Sequence, residues 1–221
     1  MPTTTFAGLT FERPRIMGIV NVTPDSFSDG GETVTEDAAV ARGLAMLADG
    51  ADILDVGGES TRPGAAAVSQ DEELNRVLPV VERLVGEGAV VSIDTRHGAV
   101  IAAAVAAGAA IINDVTALEG DPESLAIAAE SGAHVILMHM RGEPATMQNA
   151  PSYRDVVAQV RDYLAARVEA CEAAGIGKGH IAVDPGIGFG KTVEHNLALI
   201  ANLNRFGDLG CPLVLGASRK S

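Results

Sequence analysis

Ile53-Leu54-Asp55-Val56, followed at once by Gly57-Gly58-Glu59-Ser60-Thr61-Arg62, is the stretch on which the fold turns. A short, mostly apolar run ends in glycine and then in polar residues. A parallel strand buried on both faces has this look, with its functional groups placed beyond its C-terminal end. The pattern repeats along the chain. Strands are expected at Ile16–Val20, Ile53–Val56, Val90–Ile93, Ala110–Ile112, His134–Met138, Ile181–Val183 and Leu213–Leu215. Asn21 follows the first, Asp94-Thr95-Arg96 the third and Asn113-Asp114 the fourth. His139-Met140-Arg141, Asp184-Pro185-Gly186 and Ser218-Arg219-Lys220 follow the last three.

Amphipathic segments lie between the strands. Ser69-Gln70-Asp71-Glu72 reads as a capping box before Leu74, Val77, Leu78, Val81 and Leu84 at helical spacing. Pro79 inside that pattern predicts a kink or an end. Asp121-Pro122 predicts an N-cap with proline at the first helical position, closed by Gly132. Val156 to Cys171 marks a long helix ending at Gly175, and Val40, Leu44 and Leu47 mark another ending near Gly50. Residues 3–13, with Gly8 at a turn, read as a small hairpin. The sum is seven βα-type units in one domain spanning residues 1–221, the last lacking its helix. Periodicity alone leaves a TIM barrel and a doubly wound sheet both open.

Composition narrows the function. At 47% hydrophobic residues and a mean hydropathy of +0.21, the chain is far from the disordered class. Only 3% of residues are aromatic, so the core must be built from Ala, Val, Leu and Ile. A net charge of −13 argues against non-specific nucleic-acid binding, which needs a basic face. Cys171 and Cys211 form no CxxC pair, so a reducing cytosol is the default. Met1–Leu9 has no signal-peptide character, and the apolar run Gly98–Ile112 is too short to span a bilayer comfortably. No membrane partner is expected.

One polar residue after one strand is as readily a cap or a turn as a ligand. Seven such positions in step point to a rim, because in a barrel all strand C-termini converge there. Asp94 and Asp184 each end an apolar strand, where a carboxylate needs a partner. A ligand with paired N–H donors would supply one. The glycine-rich Asp184–Thr192 does not bind nucleotide by motif: a Walker loop needs glycine where Pro185 stands, and a dinucleotide fingerprint needs it where Lys191 stands. His134, His139 and His195 lack metal-ligand spacing and read as structural.

Asn21-Val22-Thr23-Pro24-Asp25-Ser26-Phe27-Ser28-Asp29-Gly30-Gly31 and Asp55–Gly64 resemble the two signature loops of the dihydropteroate synthases. The resemblance continues through Ser92–Thr95, Ile112–Val115, Met138–Gly142, Asp184–Lys191 and Gly216–Ser221. It implies a TIM (β/α)8 barrel, here with seven strands and without its last helix–strand–helix portion. It implies a transferase of folate biosynthesis, a family targeted by sulfonamides. That reaction joins 6-hydroxymethyl-7,8-dihydropterin diphosphate to p-aminobenzoate, giving 7,8-dihydropteroate and diphosphate. By resemblance Asp94, Asn113, Met138, Asp184, Phe189, Gly216 and Lys220 hold the pterin, and Asp94, Lys220 and Asp25 serve the chemistry. Phe27, Thr61, Arg62, Pro63 and Ser221 would build the p-aminobenzoate side, and Asn21 would hold Mg2+ with the diphosphate. The resemblance also implies a homodimer and a cytoplasmic location.

Family members continue past Ser221 with a further helix, a strand carrying Arg-Val-His, and a last helix. Without them the first and seventh strands keep unpaired edges, and two basic groups beside the diphosphate are missing. The expectation is therefore weak or no activity of the 221-residue chain by itself, and an oligomer that covers the edges. The alternative is a non-catalytic pterin-binding paralogue. A methyltetrahydrofolate-type methyltransferase is disfavoured by the loops Asn21–Gly31 and Ser60–Gly64.

Overall fold

The computed structural model describes residues 5–23, 36–60, 68–143 and 146–217. A hairpin comes first: β1 (Thr5–Phe6) and β2 (Leu9–Thr10) pair antiparallel. Ala7 (φ 48°) and Gly8 (φ 77°) turn the chain between them. Then strands and helices alternate: β3 (Met17–Asn21), α1 (Glu36–Ala48), β4 (Ile53–Gly57), α2 (Gln70–Gly86), β5 (Val91–Asp94) and α3 (Gly98–Ala106). They continue with β6 (Ile111–Asp114), α4 (Ser124–Ser131), β7 (His134–Met138), α5 (Val156–Ala173), β8 (Ile181–Asp184) and α6 (Val193–Ala201).

The six strands β3 to β8 form one parallel sheet in strict chain order. A doubly wound sheet reverses its order at a switch point. This one never does, which is the winding of a barrel wall. Strand order therefore decides what periodicity left open.

The seventh expected strand is a correction. Leu213 makes a single parallel bridge to Val183, with Val183 N donating to Pro212 O (2.9 Å) and Val214 N donating to Val183 O (2.8 Å). Leu213 and Leu215 remain exposed. No described strand pairs its far side, so little fixes a second or third rung.

Two helix expectations also need correcting. α2 runs through Pro79 without ending. Val77, Val80, Val81 and Leu84 are all fully buried around it. Each contributes roughly 1.5–3 kcal/mol by burial, enough together to outweigh the ~3 kcal/mol that an internal proline costs. Asp121 is not the N-cap of α4, which starts at Ser124. Its two carboxylate oxygens instead take Glu123 N (2.9 Å) and Gly98 N (2.9 Å), so it caps the start of α3 from a neighbouring turn. Ser69 caps α2 and Thr192 caps α6, with His195 completing the box.

Alternation along each strand makes two cores. Leu54, Val56, Val91, Ile93, Ile112, Val135, Leu137, Ile181 and Val183 face outward against the helices. Ile53, Ile111, Ile136 and Ala182 face inward and meet Phe6 of the hairpin. The lower interior is thus aliphatic and plugged at the N-terminal end. Most polar inward residues lie toward the upper end; Asp55 and Ser92 share the rung of Ile111, and His134 sits at the base beside Phe6.

Candidate functional site

Four strands carry their polar residue as a last rung rather than in a loop. β3 ends on Asn21, β5 on Asp94, β6 on Asn113-Asp114 and β8 on Asp184. Register sets Asn21 beside Gly57, Gly57 beside Asp94, and Asp94 beside Asn113. Met138 sits beside Asp184 on the far wall. The sheet ladder holds these residues, so their spacing is rigid. Gly57 has a steric reason: a Cβ there would lie 3.3 Å from Asp94 Oδ2.

One rung lower on the same face lies Asp55, paired in register with Ser92. It is buried, and its Oδ2 accepts a 2.9 Å hydrogen bond from Asn113 Nδ2. Burial pushes its pKa up to about 6, against the lowering effects of Ser92 and Asn113. Asp94 is pushed well above the usual carboxylate range by burial first, then by Asp55, Asp114, Glu73 and Glu59.

Its acidic neighbours have their own partners. Glu59 takes Arg96 in a bidentate pair (3.1 and 3.0 Å) and Glu73 meets His97 Nδ1 at 2.6 Å. Asp114 accepts from Thr116 N and Oγ1 (2.7 Å each) and from Leu118 N (3.1 Å). Among the described residues, none donates a hydrogen bond to the Asp94 side chain.

The opposite wall is apolar. Val115, Met138, Met147 and Phe189 form a small buried cluster, with Met140 packed on it. Asp184 Oδ1 accepts from Gly186 N at 2.7 Å. Gly216 is exposed, and a Cβ on it would come within 4.0 Å of Asp184 Oδ2. The described site is therefore a slot with carboxylates and an amide along the sheet rim and thioether and aromatic surface beside them. Such a slot suits a flat ligand whose edge carries N–H donors.

The structure brings Asn21, Asp94, Asn113, Met138, Asp184, Phe189 and Gly216 to this one end. Asp25, Phe27, Thr61, Arg62, Pro63, Lys220 and Ser221 lie outside the described residues.

Sequence reading missed Lys191. Its side chain is buried, and Nζ donates to the carbonyls of Gly186 (2.8 Å), Phe189 (2.9 Å) and His139 (3.2 Å) and meets His139 Nδ1 at 3.0 Å. Burial lowers its pKa to about 7, against the raising effect of Asp184. The glycines around it serve close approach. A Cβ on Gly186 would strike the His139 carbonyl, and one on Gly190 the Arg141 carbonyl. The glycine-rich loop is thus stapled against the end of β7, which seats Phe189 in the slot. Asp55 was missed too, although a lone acid in an apolar run is the signal that drew attention to Asp94 and Asp184.

The histidines are spread apart. His134 and His180 stack at 4.2 Å near Phe6, His139 belongs to Lys191, and His195 to the helix cap. No group of three or more His, Cys, Asp or Glu among the described residues is arranged to hold a metal. Asn21 offers one hard oxygen on the rim, which fits an ion held mainly by phosphate oxygens and water.

Comparison with known proteins bears directly on this slot. A model of the pterin binding enzyme family matches residues 17–221. The dihydropteroate synthase of Escherichia coli K12 is 50% identical over 214 residues, 96% of this chain and 76% of that protein. This chain belongs to the dihydropteroate synthases. A Xanthomonas albilineans dihydropteroate synthase solved with 4-aminobenzoic acid superposes with a TM-score of 0.90 at 54% identity, covering 97% of this chain and 77% of that one. A structure of the enzyme from the same bacterium in complex with 7,8-dihydropteroate gives a TM-score of 0.86 at 51% identity, covering 96% and 75%. Dihydropteroate synthases are TIM barrels, and the six-stranded wall seen here is part of that barrel. No helix among the described residues is long and apolar enough to cross a membrane.

Proposed function

We propose that this protein joins 6-hydroxymethyl-7,8-dihydropterin diphosphate to p-aminobenzoate, giving 7,8-dihydropteroate and diphosphate. The observation that carries the reading is the rim: Asp94, Asn113 and Asp184 on strand ends, facing a wall of Met138 and Phe189. A pterin is flat, and one edge presents adjacent ring N–H and amino donors. Asp184 accepts that pair, Asn113 both donates and accepts, and Lys220 donates to the ring carbonyl and ring nitrogen.

The C–O bond to diphosphate breaks first and leaves a cationic pterin methylene. Asp94 stands where burial and neighbouring carboxylates concentrate negative potential, so a positive charge developing beside it is favoured. The amino nitrogen of p-aminobenzoate then attacks and loses its proton. An aromatic amine is nucleophilic enough without an activated Ser or Cys.

By the family resemblance, Asp25, Phe27, Thr61, Arg62, Pro63 and Ser221 build the p-aminobenzoate side, where sulfonamides would compete. Asn21 would hold Mg2+, which neutralises the departing diphosphate. The same reading extends to a homodimer and to the cytoplasm.

Titration calorimetry with 6-hydroxymethylpterin tests the reading. The chain binds the pterin, and Asp184→Ala and Asn113→Ala each weaken binding by roughly 10- to 100-fold, as loss of a hydrogen bond to a charged group does. Unchanged affinity in Asp184→Ala would remove the pterin from this slot. Binding without dihydropteroate formation would instead favour a non-catalytic pterin-binding paralogue.

A further inference from the structure

Asp55 is an expensive residue in its place. Its strand neighbour on the same inward face is Ile53, part of the aliphatic cluster with Ile111 and Ile136. An apolar side chain would extend that cluster, whereas a carboxylate must be desolvated. One of its oxygens, Oδ1, is buried with no well-formed hydrogen bond among the described residues, and Ser92, its register partner, only partly offsets the burial. The carboxylate also repels a negative charge on Asp94, which raises the Asp94 pKa. A group that opposes stability on three counts calls for a role beyond folding.

Its hydrogen bond with Asn113 supplies that role. A carboxylate only accepts, so the Asn113 amide must turn its NH2 end toward Asp55, as the 2.9 Å Nδ2–Oδ2 contact shows. The Asn113 carbonyl oxygen is then turned away from Asp55. An asparagine free to flip would present donor and acceptor interchangeably, and half of its orientations would mismatch a ligand edge of fixed polarity.

We infer that Asp55 is a positioning residue that locks the Asn113 carboxamide in the one orientation matching the pterin edge. The inference rests on the pterin reading of the slot. Asp55 touches no substrate and acts on pterin binding through Asn113.

Calorimetric titration of 6-hydroxymethylpterin, run beside thermal melts, tests it on wild type, Asp55→Ala, Asp55→Asn and Asp184→Ala. Asp55→Ala is expected to weaken pterin binding by roughly 10- to 100-fold, the scale on which outer partners of ligating side chains act, with Tm unchanged or higher. Asp55→Asn still offers Asn113 an oxygen but no longer forbids the flip, so its loss is smaller. Wild-type affinity in Asp55→Ala overturns the inference. So does a loss that appears only together with a lowered Tm. Should Asp55→Ala fail to fold, the isosteric Asp55→Asn decides: weakened affinity at unchanged Tm supports the lock, and wild-type affinity overturns it. Asp184→Ala separates the two levels. If it too binds normally, the pterin reading falls and takes this inference with it; if it alone loses binding, only the role of Asp55 falls.

Discussion

His139 and Gly186 meet beside the slot, where the His139 carbonyl leaves no room for a side chain on Gly186. His139 is buried, and burial lowers its pKa to about 3, assisted by Lys191. The unfolded imidazole titrates at 6.5, so between those values the unfolded chain binds the extra proton. Stability supplied by the neutral ring is complete above pH 6.5 and is lost as pH falls toward 3. His139→Asn, which keeps an acceptor for Lys191, is expected to flatten that fall, because asparagine does not titrate. Tm measured against pH for both proteins checks this; parallel curves would contradict it. Gly186 sits at φ 68° with the His139 carbonyl where a Cβ would go. Gly186→Ala is therefore expected to cost at least 1–3 kcal/mol, roughly the strain of a forced backbone conformation. Denaturant unfolding reads it, and a neutral result would mean the loop can move aside.

The β8–α6 loop shows what a sequence pattern can and cannot carry at the scale of elements. Strands and helices were legible because burial on one or two faces leaves a period, and Gly50, Gly132 and Gly175 close helices with positive φ where expected. The polar strand ends were legible because they interrupt apolar runs. The staple was not, because Lys191 contacts carbonyls up to 52 residues away and no local pattern encodes them. Pro79 and Asp121 misled for the same reason: tertiary burial kept α2 intact, and a side chain from one turn capped another helix. The seventh strand shrank to one bridge at Leu213 because, among the described residues, β8 pairs it on one side and nothing on the other. Removing the staple with Lys191→Met leaves buried carbonyls unmatched, at roughly 1–3 kcal/mol. Because Phe189 moves with the loop, pterin affinity should fall as well. Loss of stability with unchanged pterin binding would show that the loop's seat does not matter to the slot.

At the scale of the whole molecule, the barrel interior divides into a stabilising end and a binding end. Phe6 and the aliphatic rungs close the bottom, while acids and amide occupy the top. Phe6→Ala should then cost about 3–5 kcal/mol, the usual range for a buried aromatic, yet leave pterin affinity unchanged below the melting transition. A thermal melt and a titration on the same sample separate the two effects. Loss of affinity in the folded variant would mean the ends are coupled. Apart from Phe11, the exposed large apolar residues among those described are grouped as well: Ile16 and Ile19 at β3, Leu213 and Leu215 at the other edge, and Val193, Leu197 and Ile200 on α6.

If the strand-end rim is the pterin site, a bound pterin must be found there. A crystal structure of the protein soaked with 6-hydroxymethylpterin tests it most directly. The ring is expected to lie against Met138 and Phe189, with its donor edge on Asp184 and Asn113 and its methylene beside Asp94. A pterin bound anywhere else, or ordered in this slot without contact to Asp184 and Asn113, would contradict it.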